Sequence, residues 1–241
     1  MALLEVRTLS RSFGALWAVR NVSFSVEPGE LVGLIGPNGA GKSTLYNLIA
    51  GALGPTSGDI MFNGRRVSGQ RPYQAARGGI ARTFQIPKPY RHLSVVENVI
   101  VSALVHDFTV AAARRSAEAV LADVGLADYA DAPVSILTTG LLKRLEVARA
   151  LALRPSLVLF DEILAGLTPS EVKIMTHLVA GLPARGITVI WVEHVLYAIM
   201  KTAQRIMVLH RGEMIADDTP EKVAADPIVI KAYLGEEINL A

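Results

Sequence analysis

The chain has 241 residues, 51% of them hydrophobic and 19% charged, which provides for a buried core and excludes intrinsic disorder. Lysine and arginine number 24 against 22 aspartate and glutamate, so the net charge of +2 gives no electrostatic reason to expect a nucleic-acid partner. Cysteine is absent, which removes disulfides, thiolate metal sites and cysteine nucleophiles together and fits a reducing compartment.

Glu5 and Arg7 interrupt the apolar start, so no leader is expected. Residues 3–26 alternate short apolar runs around turn signals at Phe13-Gly14 and Arg20-Asn21, which predicts strands. Pro28-Gly29-Glu30 is a turn, and Leu31-Val32-Gly33-Leu34-Ile35 is a continuous apolar run suited to a strand buried on both faces. A glycine-rich loop leads into a helix over 42–50. Turn signals at Ser57-Gly58 and Asn63-Gly64 make 55–67 a further hairpin. From 87 to 155 the period becomes helical. Val110, Ala113, Ala117, Val120, Leu121 and Val124 share one face of a helix over 110–124, with Arg114, Arg115 and Glu118 opposite and Gly125 as its stop. Two more buried strands, 157–160 and 187–192, flank a helix over 169–182. The apolar stretch 187–200 comes closest to the roughly 18 residues that span a bilayer, and Glu193 and His194 cut it. A hairpin around Arg211-Gly212 follows, then a helix capped by Thr219 with Pro220 at its first position. Strands alternating with helices predict an α/β fold with a mainly parallel sheet, into which the helical middle is inserted.

Gly36-Pro37-Asn38-Gly39-Ala40-Gly41-Lys42-Ser43, before Thr44, sits between a buried strand and a helix, the context a phosphate-binding loop requires. Its glycines let backbone N–H groups turn toward phosphate oxygens, and the helix N-terminus adds partial positive charge. Lys42 reaches the β- and γ-phosphates, and the Ser43 hydroxyl ligates Mg²⁺. The reading is a site for a nucleoside triphosphate. Asp161 and Glu162 emerge at the carboxyl end of a buried strand, where ligands bind in open α/β sheets. One carboxylate suits the metal, and the next suits the proton of an attacking water.

The order of these motifs resembles the ATP-binding subunits of ABC transporters over essentially the whole chain. That resemblance implies a P-loop NTPase (RecA-like) core over about 1–86 and 156–241, an N-terminal antiparallel β subdomain and a helical subdomain over about 87–155, in one ATP-binding domain. It implies that Phe13 stacks on adenine and that Lys42 and Ser43 belong to the Walker A motif. Gln85, in Ala81-Arg82-Thr83-Phe84-Gln85, becomes the Q-loop glutamine that senses Mg²⁺ and the attacking water. Leu137-Thr138-Thr139-Gly140-Leu141 resembles the signature motif, Asp161 and Glu162 resemble Walker B and the catalytic base, and His194 the switch histidine. ATP and Mg²⁺ are the implied cofactors.

Five positions depart from the family pattern. Thr138 stands for serine, Thr139 for the first signature glycine and Leu141 for glutamine. A β-branched Thr139 fits poorly if that position needs positive φ. Thr168 stands where aspartate is common in the D-loop, and Ile163 where proline follows the glutamate. The expectation is an active, slow ATPase. Gly79-Ile80-Ala81-Arg82-Thr83-Phe84-Gln85, Leu93-Ser94-Val95-Val96-Glu97-Asn98-Val99 and the ending Ala232-Tyr233-Leu234-Gly235-Glu236 look like the ATPases of branched-chain amino-acid importers. The ending is also similar to lipopolysaccharide-export ATPases, the alternative within the superfamily; a soluble non-transport P-loop ATPase is the alternative outside it.

In the family one nucleotide is held between the Walker A side of one subunit and the signature helix of another, so the resemblance implies a second ATP-binding subunit, either this chain or a paralogue. It further implies transmembrane permease subunits, a solute-binding protein acting indirectly, and a peripheral place on the cytoplasmic face of the membrane. Permease docking is expected on 86–105, through Pro87, Pro89, Tyr90, Leu93, Val95 and Val96.

Overall fold

The computed structural model describes residues 1–234, so Gly235 and Glu236 of the C-terminal motif lie outside the described residues. β1 (Leu4–Phe13) and β2 (Leu16–Val26) form a hairpin, and β3 (Leu31–Ile35) runs through the glycine-rich loop into α1 (Lys42–Ile49). β4 (Ser57–Phe62) returns antiparallel to β1, and β5 (Arg65–Arg66) pairs with β4, giving a sheet ordered β2-β1-β4-β5. After α2 (Pro72–Arg77) and β6 (Ile80–Arg82) come α3 (Val95–Ala103), α4 (Val110–Asp123) and α5 (Thr139–Leu151). β7 (Leu157–Asp161), α6 (Pro169–Ala180), β8 (Thr188–Val192), α7 (Leu196–Thr202), β9 (Arg205–His210), β10 (Glu213–Asp218), α8 (Pro220–Ala225) and α9 (Pro227–Leu234) complete the described chain. The second sheet is ordered β10-β9-β3-β8-β7-β6, parallel except at the β9–β10 hairpin. Among the described residues no helix is long and apolar enough to cross a membrane.

The sheet is packed on both faces, and the alternation within each strand shows it. Leu157 and Leu159 of β7, Ile190 and Val192 of β8, and Met207 and Leu209 of β9 face α1 and the antiparallel sheet. Val158, Phe160, Val189, Trp191, Ile206 and Val208 face the opposite core, which continues into α3, α4 and α5. Each fully buried aliphatic or aromatic side chain here contributes roughly 1.5–3 kcal/mol of transfer free energy. Helix and sheet approach closely at Gly33, where an added Cβ would lie 2.5 Å from Ile199 Cγ2.

Several local expectations are corrected. Arg20-Asn21 is no turn: Asn21 takes φ 51° inside β2, where the register against β1 shifts, so it is a bulge. Ser57-Gly58 opens β4 instead of turning the chain; Gly58, at φ 84°, lies where a Cβ would be 2.4 Å from the Thr8 carbonyl. Asn63 and Gly64, at φ 49° and 71°, do form a tight turn of the kind that favours Asn-Gly. The helix expected to reach 182 ends at Ala180. Val110 is exposed, so the apolar face of α4 rests on Ala113, Ala117 and Leu121. Thr219 is the N-cap of α8 without a side-chain cap bond; its own N–H donates to Asp218 Oδ1 at 2.8 Å. Val95 and Val96 are fully buried, so they belong to the core and cannot form a docking surface.

One polar anchor ties α1 to the sheet. The buried Tyr46 hydroxyl donates to the Ile190 carbonyl at 2.6 Å and lies 3.2 Å from the Phe160 carbonyl, bridging β8 and β7. Tyr46→Phe keeps the ring and strands this pair of carbonyls. It should lower unfolding free energy by about 1 kcal/mol in denaturant titrations, with an unchanged slope.

Candidate active site

The glycine-rich loop is held by the strands around it. Gly36, at φ 151°, leaves no room for a Cβ, which would lie 2.0 Å from the Leu209 carbonyl. Gly41, at φ 104°, is closed in the same way by the Ala18 carbonyl at 2.2 Å. Gly212 N–H donates to the Ala40 carbonyl at 2.9 Å, so the β9–β10 turn fixes the loop from outside. Gly41 is also the N-cap of α1 and brings no capping side chain, which leaves the first-turn N–H groups for a ligand. They open onto a cavity of about 500 Å³ lined by Leu16, Trp17, Ala18, residues 38–44, Glu162 and Arg211. The buried Lys42 ammonium folds back and donates to the carbonyls of Gly36 at 2.7 Å and Pro37 at 3.0 Å. Burial pulls its pKa below the ordinary lysine value, and the charges of Glu162 and Asp161 oppose that shift.

β7 delivers the two acids to this edge. Asp161 N–H donates to the buried Thr83 hydroxyl at 3.2 Å, and Glu162 N–H to the Val192 carbonyl at 2.9 Å. Burial pushes the Asp161 carboxyl above the usual carboxylate range; the neighbouring Glu162 charge adds to this, and Arg82, Lys42 and Lys143 oppose it. Glu162 takes φ 48°, a left-handed conformation that costs a non-glycine residue of order 1 kcal/mol and turns it out of the strand direction. Its carboxylate is clasped on both sides, by Gln85 Nε2 at 2.5 Å and His194 Nε2 at 2.9 Å. A carboxylate oxygen only accepts, which places the imidazole proton on Nε2.

The structure therefore brings together Lys42, Ser43, Thr44 and Glu162 around one cavity, with Gln85 and His194 joined to it through the Glu162 carboxylate, and with Gly36, Pro37 and Asp161 outside the lining. It does not bring all the expected residues there. Phe13, half-exposed at the end of β1, is covered by the Arg11 guanidinium 4.7 Å from its ring centroid and is not among the cavity-lining residues; Trp17 is the aromatic that lines it. Thr138, Thr139 and Gly140 lie at the start of α5, outside the cavity. Thr138 caps that helix, its hydroxyl accepting from Leu141 N–H at 3.4 Å. Thr139 is the first helical residue and has no positive φ, which removes the conflict expected of a β-branched residue. Thr168 opens α6 in a capping box with Glu171, its N–H donating to Glu171 Oε2 at 2.8 Å.

Of the buried ionisable residues that carry no motif of their own, Lys143 and Glu193 lie nearest the acids. The Lys143 ammonium donates to the carbonyls of Gln85 and, at 3.1 Å, Glu162. Glu193 Oε1 accepts from Leu164 N–H at 2.7 Å and Trp191 Nε1 at 3.3 Å, tying β8 to the loop after Glu162. The signal available was a charge inside an apolar pattern, Glu193 after a buried strand and Lys143 one turn into a helix.

A match to the ABC transporter family covers residues 19–165, and a second, to the branched-chain amino acid ATP-binding cassette transporter family, covers 213–239. The chain belongs to the ABC transporter family as an ATP-binding cassette, an ATPase that works with permease subunits and a second cassette at a membrane. It is 38% identical to the high-affinity branched-chain amino acid transport ATP-binding protein BraF of Pseudomonas aeruginosa, over 97% of this chain and 98% of BraF. Identity to LivG of Escherichia coli K12, described in the same words, is 37% over the same shares. The lipopolysaccharide export ATP-binding protein LptB of Acidithiobacillus ferridurans is 32% identical over 99% of both chains. The ADP conformation of the cassette MJ1267 superposes with a TM-score of 0.88 at 30% identity, covering 98% of this chain and all (100%) of that one.

Burial raises the Glu193 carboxyl to about 7, against the hydrogen bonds from Leu164, Trp191 and His194, with the Glu162 charge adding a little. The folded state thus holds a proton that the unfolded chain releases near 4.5, and the associated stability, full below that pH, is lost as pH rises through about 7. Melting temperatures taken from pH 5 to 8 should fall less steeply for Glu193→Gln than for the unmodified protein; equal slopes would contradict this origin.

Proposed function

We propose that this chain is the ATP-hydrolysing subunit of an importer for branched-chain amino acids or related small solutes, peripheral on the cytoplasmic face of the cell membrane. The observation that carries it is the Glu162 carboxylate, held between Gln85 and His194 beside the phosphate-binding loop. The import reading rests on the relatives named for branched-chain amino acid transport and on the C-terminal family match; the export relative is less identical.

The first-turn amides of α1 and the loop N–H groups bind the phosphates of ATP, and Lys42 exchanges its two loop carbonyls for phosphate oxygens. Glu162 polarises the attacking water, Gln85 fixes that water's place, and His194 steadies the γ-phosphate. Mg²⁺ fits the donor set: the exposed Ser43 hydroxyl, the Gln85 amide oxygen and the half-buried Asp161 carboxylate are hard oxygen ligands, and the adjacent charges of Asp161 and Glu162 favour a cation. When bound, it neutralises charge on the β- and γ-phosphates. The base lies on the Trp17 side of the cavity, and stacking on the Arg11-covered face of Phe13 would displace that guanidinium.

Because Thr138, Thr139 and Gly140 stand outside this cavity, the signature faces the nucleotide of a second subunit, this chain or a paralogue. ATP joins the two, and hydrolysis releases them. Permease helices dock on 86–105, where Ile86 and Tyr90 are exposed beside Pro87 and Pro89. A solute-binding protein acts on the permease from the other side.

Glu162→Gln should lower kcat by about 10²-fold or more while ATP drives the variant into a dimer visible by size-exclusion light scattering. Hydrolysis at the unmodified rate would sink the assignment of the base. In vesicles holding the assembled transporter, Tyr90→Glu should abolish solute uptake and leave the ATPase of the isolated subunit within about twofold; parallel loss of both would remove Tyr90 from the docking surface.

A further inference from the structure

The polar stripe of α5 turns toward the protein interior. Lys143, Glu146 and Arg149 recur at every third residue and so share one helix face. Lys143 and Glu146 are only 3% and 4% exposed. Glu146 Oε1 accepts from Lys88 N–H at 3.0 Å and from Arg149 Nη1 at 2.6 Å, and the same guanidinium nitrogen donates to the Lys88 carbonyl at 2.9 Å. Lys143 Nζ donates to the carbonyls of Gln85 and Glu162. One helix thus grips the backbone of residues 85–88, and one ammonium joins that segment to the end of β7.

The two carbonyls on Lys143 belong to the residues whose side chains meet in front of the phosphate loop. The direction of each side chain starts from its backbone, and Glu162 sits in a conformation that needs external support. Its N–H is held by Val192 and its carbonyl by Lys143, so removing the ammonium frees one end of a strained peptide and the Gln85 backbone together.

We propose that Lys143 is a positioning residue for hydrolysis: by holding the Gln85 and Glu162 carbonyls it sets the Gln85–Glu162 contact and ties that pair to the signature end of its own helix. The part concerning hydrolysis rests on reading the cavity as an ATPase site; the part concerning the contact does not. Lys143 is four residues, about 6 Å of rise, from Thr139 at the start of α5. A shift of the helix N-terminus when it meets a nucleotide across the subunit interface is therefore carried to Glu162 of the same chain.

Two variants and two readouts test this. Lys143→Met removes the ammonium at similar volume, and Lys143→Arg keeps two donors. In the nucleotide-free protein, the side-chain amide ¹⁵N–¹H signals of Gln85, assigned through Gln85→Asn, should move toward solvent-exposed values in Lys143→Met and return in Lys143→Arg. In steady-state assays Lys143→Met should lower kcat by 10-fold or more with the ATP KM within about twofold, and Lys143→Arg should recover at least a third of the rate. Unchanged Gln85 signals in Lys143→Met would overturn the positioning role whether or not the protein hydrolyses ATP. So would an unchanged kcat, or a KM that rises in step with the loss of kcat. An inactive unmodified protein would count against the ATPase reading alone, and the amide signals would still decide the contact.

Discussion

Because the six-stranded sheet is covered on both faces, from Leu157 and Leu159 on one side to Val158 and Phe160 on the other, its strand interiors hold no place for charge. An ionised group buried there without partners would cost several kcal/mol. Polar chemistry is therefore confined to the carboxyl ends of β3, β7 and β8 and to the loop after β6. The glycine loop, Asp161 with Glu162, His194 and Gln85 leave from those four ends, and the order β3-β8-β7-β6 makes them neighbours although up to 158 positions, from Gly36 to His194, separate them in the chain.

At that edge the charges are balanced locally. Lys42, Lys143 and Arg82 face Asp161 and Glu162, and burial acts against all three cations and against Asp161. Burial raises Glu193, deeper still, to about 7. The cations reach carbonyls as well as charges: Lys42 binds Gly36 and Pro37, Lys143 binds Gln85 and Glu162. Such bonds anchor backbone, which suits an edge whose side chains must stay free for ligands. Lys42 differs from Lys143 in standing within the cavity lining, so its loop carbonyls can be exchanged for phosphate.

Much of this was readable in the sequence because it rests on local chemistry. The apolar runs that became β3, β7 and β8, the Asn63-Gly64 turn and the loop ending in Gly41-Lys42 carry their geometry in a few adjacent residues. What escaped depends on contacts between distant segments. Asn21 looked like a turn because its positive φ is a bulge that only the register against β1 reveals. Val95 and Val96 could have been surface or core by period alone, and packing of the helices decided for the core. The distant partners of Lys143 and Glu193 are backbone groups of Gln85, Glu162 and Leu164, which no side-chain pattern records. For Phe13, the family resemblance implied a stacking aromatic; the Arg11 guanidinium, two residues away, lies over one face of that ring.

The departures from the family pattern obey one physical rule, that a helix start needs an acceptor and a core position needs a hydrocarbon. Thr138 caps α5 through its hydroxyl, and Thr139 takes an ordinary helical position that a glycine is not required to fill. Thr168 does for α6 what aspartate does at an N-cap, accepting from Glu171 N–H at 3.4 Å while Glu171 returns a bond to Thr168 N–H. Ile163 is wholly buried, so losing a proline there costs rigidity and gains apolar contact. Gly140 is more constrained: a Cβ would lie 2.0 Å from Glu171 Oε1, so a larger residue must move a side chain that caps α6. The start of the signature helix thus approaches the side chain of Glu171 in the first turn of α6.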